Sequence, residues 1–212
     1  MTRPLEVEKS SAGSPGIRSQ ILDKLASSPV NYWGGFVTDP ITAVLLFSWE
    51  TFILQRSVYI SLAVYLGAIF FVSLIEYLLH RYIFHGPRQN MAQAGHLMHH
   101  DEPRALIGTP WLLTQAMWWS IACVAVFVLR IPYALSFLAA FITGYVGYAI
   151  VHHHIHHHSR LRWFKKLQIH HNIHHRWPNV NYGVTSPLWD IVFRTLFQPP
   201  KQQSPKLSKV NS

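Results

Sequence analysis

The chain has 212 residues, half of them hydrophobic and only 13% charged, against roughly 25% charged in an ordinary soluble domain. That deficit excludes a freely soluble globule, and the single Cys123 excludes an intramolecular disulfide, a cysteine zinc finger and an iron–sulfur cluster. The net charge of +9 sits beside long apolar runs rather than on a basic face with readout elements, so it reads as membrane-flanking charge and not as a nucleic-acid surface.

Residues 1–30 are polar and rich in Ser, Pro and Gly. They lack the apolar stretch of a secretory signal and read as a disordered or loosely ordered segment. Residues 36–54 are mostly apolar but hold Asp39, Pro40 and Glu50, which suits a weak span or an interfacial helix. The run Val58–Leu79 carries a single charge, Glu76, and the runs 110–129 and 131–151 carry none. At about 1.5 Å of rise per residue, each can cross a hydrocarbon core of about 30 Å. Only Arg130 and Pro132 interrupt the last two runs, so their outer ends must emerge on one side.

Those ends hold all 15 histidines, which fall between positions 80 and 175. Arg81, Arg88, Arg104, Lys165, Lys166 and Arg176 accompany them, whereas Arg56 and Arg130 mark the opposite side. The positive-inside rule then puts the histidine side and both termini in the cytoplasm, with the spans in a bacterial inner membrane or the ER. The expected architecture is all-α and polytopic, with about four transmembrane helices in two hairpins and a cytosolic helical cap bearing the histidines. A single membrane-embedded domain is expected over 31–198, followed by a polar tail over 199–212. Trp111, Trp118, Trp119, Trp163 and Trp177 read as interface anchors.

The histidines fall in four clusters: HRYIFH (His80, His85), HLMHH (His96, His99, His100), the tract 152–158, and HHNIHH (His170, His171, His174, His175). In HxxHH on a helix, positions i, i+3 and i+4 share a face, so three imidazoles can meet at one metal ion of the iron, zinc, copper or nickel kind. His80 and His85 lie about 140° apart on an ideal helix. They converge only if the helix stops between them, and Gly86-Pro87 supplies a stop. In the tract, His152/His156, His153/His157 and His154/His158 are all i,i+4 pairs pointing in different directions, and helical geometry does not choose among them. A metal transporter would need polar groups at mid-membrane, whereas these histidines gather at one end of nearly charge-free spans.

The order HRYIFH, HLMHH, GYVGYAIVHHHIHHHS, HHNIHH and NYGVTSPLWDIVF, from about Glu76 to Phe197, resembles the fatty acid hydroxylase / sterol desaturase superfamily, and within it the fatty acid 2-hydroxylases. The resemblance implies an O2-dependent lipid or fatty acyl hydroxylase. Its ten metal ligands would be His80, His85, His96, His99, His100, His152, His156, His171, His174 and His175. They would hold two iron ions, and zinc can occupy the same nitrogens in purified protein. Candidates to orient the ligand imidazoles are Glu76, Asp190, Asn181 and Asp101; for Asp190 the alternative is a helix-end cap or a salt bridge to Arg194. The electrons would come from a separate donor, a cytochrome b5-like protein or a ferredoxin with its reductase. A carotenoid or sterol hydroxylase, or a desaturase, would use the same site.

Overall fold

The computed structural model describes residues 28–88, 90–157 and 164–199. The expected polar segment before residue 28, His158, Trp163 and the tail beyond Pro199 lie outside the described residues. Among those described, every regular element is helical. Helix α1 (Pro29–Ser48) continues through a π-helical turn to Ile53, and α2 (Val58–Leu79) through another, His80–Phe84. Next come α3 (Met91–Asp101), α4 (Trp111–Cys123) with a π-helical end at Val124–Val128, and α5 (Ala134–His157). Two shorter helices follow, α6 (Phe164–Arg176) and α7 (Leu188–Val192).

Among the described residues, four stretches are long and apolar enough to cross a bilayer: Pro29–Ile53, Val58–Phe84, Trp111–Val128 and Ala134–His157. They pair as two helical hairpins. The first turns at Leu54–Ser57 and the second at 129–133, each with a left-handed arginine or glutamine (Gln55 φ 52°, Arg130 φ 51°). Both turns close the same way: Leu54 and Leu129 donate to the carbonyls of Trp49 and Val124, and Arg56 and Ile131 to those of Glu50 and Ala125.

Helix α5 is the hub, packing along α1 and α2. Small side chains permit the close approach, as expected where lipid removes the hydrophobic drive between helices. Ala43, Ala122 and Ala139 sit in the core with Leu46, Trp118, Leu135 and Ile142. At Gly144 a Cβ would come within 2.4 Å of Val72 Cγ1. Val44, Leu66, Leu112 and Phe137 point outward, as lipid-facing residues do.

The first of these stretches is long enough to cross, and its polar groups face inward. Asp39 is buried and accepts from Gln115 Nε2 (2.7 Å) and Trp118 Nε1 (3.2 Å) of α4. Trp118 is therefore a buried tie between spans and not an interface anchor. Glu50 is also buried, and its Oε2 accepts the amides of Leu135 (2.8 Å) and Ser136 (3.1 Å), so it satisfies the open N-terminus of α5. The far ends of the two hairpins are thereby joined by one carboxylate.

Candidate metal centre

The histidines come from four places brought to one end of the spans. His80 follows the last α-helical turn of α2, and the i→i+5 bond from His85 N to His80 O (3.1 Å) closes the π-helical turn after it. A helix end is not what unites His80 and His85. The wider turn stacks residues five apart, so their rings lie 5.2 Å apart. His96, His99 and His100 share a face of α3, which starts at Asn90, whose side chain accepts from Gln93 N. His152 and His156 end α5, and His171, His174 and His175 sit on α6.

Two groups result: His80, His85, His96, His100 and His174, and His99, His152, His156, His171 and His175, with the ligand atoms in each within 4.8 Å of one another. The groups touch, the rings of His100 and His175 stacking at 4.2 Å. In the first, His96 Nε2 faces the Nε2 atoms of His80 (3.1 Å), His85 (2.9 Å) and His100 (3.1 Å), and His85 faces His174 (3.0 Å). In the second, His171 Nε2 faces those of His152 (3.1 Å), His156 (3.1 Å) and His175 (3.0 Å), and His99 faces His156 (3.1 Å).

Hydrogen bonding among imidazoles cannot account for this. A neutral ring carries one N–H. His80 donates its Nδ1–H to the Tyr182 carbonyl and His174 its Nδ1–H to that of Val180 (2.8 Å), so their Nε2 atoms have only lone pairs to offer. One proton on His96 or His171 also cannot serve three neighbours. Nitrogens bound side by side at right angles to an ion at about 2.1 Å would be ~3.0 Å apart, which is the spacing observed. The donor set therefore fits a borderline first-row cation in each group.

Burial and mutual repulsion keep these rings neutral, as ligands must be. Burial, then the charge of His100, lowers His85 to about 4. Burial and His156 lower His99 to about 3, burial lowers His174 to about 3, and burial with His100 lowers His175 to about 2. His96 and His171 move in the same direction for the same reasons.

Of the other tract histidines, His153, His154 and His157 turn away. His153 Nδ1 meets the Tyr32 hydroxyl (2.9 Å), its ring stacks on His157, and His154 Nδ1 meets the Ile150 carbonyl (2.9 Å). His170 is buried and bonds Asp190 Oδ2 at 3.0 Å.

Glu76 and Asp190, expected to orient the ligand imidazoles, touch none of the ten grouped rings and grip a loop. Glu76 Oε1 accepts the amides of Val184 (2.8 Å) and Thr185 (3.0 Å), and its Oε2 accepts the Thr185 hydroxyl (2.5 Å). Asp190 accepts the amides of Tyr182 and Gly183 (both 2.8 Å), the Thr195 hydroxyl (2.7 Å) and His170, with no bond to Arg194 among the described residues. Burial raises the Asp190 carboxyl, but the bonds from His170, Thr195, Gly183 and Tyr182 outweigh it and hold the group below its usual range. Asn181, left-handed at φ 56°, ties the loop to the His170 carbonyl and the Phe197 amide. Asp101 is exposed and bears on His100 only through its charge. The direct partners of His174 and His80 are the carbonyls of Val180 and Tyr182, which side-chain identity cannot reveal. The one sequence signal is NYGVTSP, whose Gly and Pro announce a tight loop.

Residues 65–195 match the family model described as "Fatty acid hydroxylase". The dihydroceramide fatty acyl 2-hydroxylase FAH2 of Arabidopsis thaliana is 34% identical over 58% of this chain and 56% of its own length. The fatty acid 2-hydroxylase of Rattus norvegicus is 27% identical over 84% of this chain and 50% of its own. The chain thus spans about half the length of these curated relatives. Among solved structures, full-length scs7p with its hydroxylase domain visible superposes with a TM-score of 0.69 at 26% identity, covering 84% of this chain and 70% of that one.

Proposed function

The chain belongs to the fatty acid hydroxylase family, and on that premise we propose that it is an integral-membrane oxygenase that hydroxylates an acyl chain. The substrate is of the acyl-lipid class acted on by the relatives, whose names specify carbon 2 of a fatty acyl group. The observation that carries the reading is the convergence of ten imidazoles in two groups of five at the ends of apolar spans.

The ten histidines would hold two iron ions, which would supply what acid–base side chains cannot, the activation of O2 for attack on an unactivated C–H bond. The chain's own residues do the rest. The Val180 and Tyr182 carbonyls keep the protons of His174 and His80 on Nδ1 and their Nε2 lone pairs inward. Glu76 and Asp190 keep those carbonyls in place. The buried, neutral histidine surfaces exclude water, while the ends of α2 and α5 bring the acyl chain to the site from the bilayer. Overall, R–H, O2, two electrons and two protons become R–OH and water. The electrons come from a separate donor, a cytochrome b5-like protein or a ferredoxin with its reductase. The cationic flank of the histidine side supports a cytoplasmic metal centre and cytoplasmic termini, with 31–198 as one catalytic domain.

The test is mass spectrometry of total lipids from cells with and without the protein, followed by reconstitution under labelled O2 with a reductase-linked donor. Hydroxylated acyl lipid carrying oxygen from O2 is expected. Label from water would replace this reading with a hydratase, a double bond without added oxygen with a desaturase, and O2-independent metal flux into vesicles with a transporter.

A further inference from the structure

The two histidine groups are alike in number and nitrogen spacing but not in what stands behind them. In the first, His80 and His174 donate their outer N–H groups to carbonyls of one loop. That loop is over-determined. The four consecutive amides from Tyr182 to Thr185 are all taken by carboxylates, two by Asp190 and two by Glu76. Glu76 belongs to a membrane span and Asp190 to α7, so the loop is held from both sides. Gly183 leaves no slack, since a Cβ there would lie 2.1 Å from the Ser186 carbonyl and 3.0 Å from Asp190 Oδ2.

The second group has no such support among the described residues. His171 Nδ1 and His175 Nδ1 are buried and have no hydrogen-bond partner, and no carbonyl or carboxylate is bonded to His99, His152 or His156. A partner on the outer nitrogen selects the tautomer and orients the ring, and losing one ordinarily weakens metal binding by about 10–100-fold.

Taking the two groups as a metal centre, we propose that they bind metal unequally: the loop 180–185, clamped by Glu76 and Asp190, makes the His80 group the tight site and leaves the His99 group a weaker, exchangeable one. Glu76 is in this sense a positioning residue. It touches no imidazole and acts through the loop amides on the carbonyl that holds His80.

The experiment is a metal titration of the full chain in lipid nanodiscs, stripped with a chelator and refilled with Zn2+ against a competing chromophoric chelator. Two equivalents are expected in two phases, the first at least about tenfold tighter. His85→Ala should remove the tight phase and His156→Ala the weak one, which assigns each phase to its group. Glu76→Ala should bring the tight phase down towards the weak one while the weak phase keeps its affinity, an internal sign that the fold is intact. Thr185→Val, which removes only the hydroxyl bond to Glu76, should do the same to a smaller extent. Two equal phases in the unaltered protein, or a Glu76→Ala effect confined to the weak phase, would overturn the inequality and leave the metal centre standing. No binding of Zn2+ would overturn the metal centre itself, and the inequality with it.

Discussion

The membrane half and the cap solve opposite problems. In the spans polar groups are scarce, and three of them join helices: Asp39 holds α4, Glu50 caps α5, and the Tyr65 hydroxyl donates to Thr143 Oγ1 at 2.8 Å. In the cap polar groups are abundant, and ten of them crowd lone pair against lone pair. Removing water from five facing nitrogens is unfavourable unless a cation sits among them. The spans can therefore hold their arrangement by packing and a few polar ties, while the cap depends on what its histidines bind.

The largest effect expected is at the two nitrogens that each face three others. His96→Ala or His171→Ala should lower hydroxylation by more than about 100-fold, beyond the usual cost of losing an orienting partner. Circular dichroism should still report the helices of the spans. Activity and full metal content in either variant would break the contrast between the halves.

Acid should act next, and only on the cap. His85 titrates near 4 and His99 near 3 in the folded chain, against about 6.5 in an unfolded one. Between these limits the unfolded cap takes up protons that the folded one refuses, so stability is full above about pH 6.5 and falls as the pH drops towards 4. Hydrogen exchange across this range should rise in α3 and α6 while α1 and α5 stay protected. Equal loss of protection in both halves would contradict the division.

Smaller effects test the other side of the comparison. Glu50→Ala removes the acceptor from the α5 N-terminus and should cost about 1–2 kcal/mol in a denaturation assay, with metal content unchanged. Tyr65→Phe should cost about 0.6 kcal/mol, the usual size of a hydrogen bond between membrane helices, and should leave activity alone.

How much of this was legible varies by residue. The spans from 58 onward followed from length with at most one charge each, and the pairing of the last two from the tight turn at Arg130. The first span was harder, because Asp39 and Glu50 look hostile to a bilayer until Gln115, Trp118 and the α5 N-terminus are brought against them. His80 and His85 needed a π-helical turn that an ideal 100° step per residue cannot represent. In the tract 152–158, spacing left three pairs open; packing of α5 against α3 and α6 turns His152 and His156 to the other imidazoles and His153 and His154 away.

By itself the sequence determined an all-helical membrane protein with its histidines at one end, because apolar length and the i, i+3, i+4 spacing are local properties of the chain. Only the tertiary structure decided how ten histidines divide into two groups of five, and that Glu76 and Asp190 grip a loop rather than any of those ten rings. Those contacts join residues up to 109 positions apart, as Glu76 and Thr185 are, and their acceptors on His80 and His174 are backbone carbonyls, which every residue carries and no sequence pattern distinguishes.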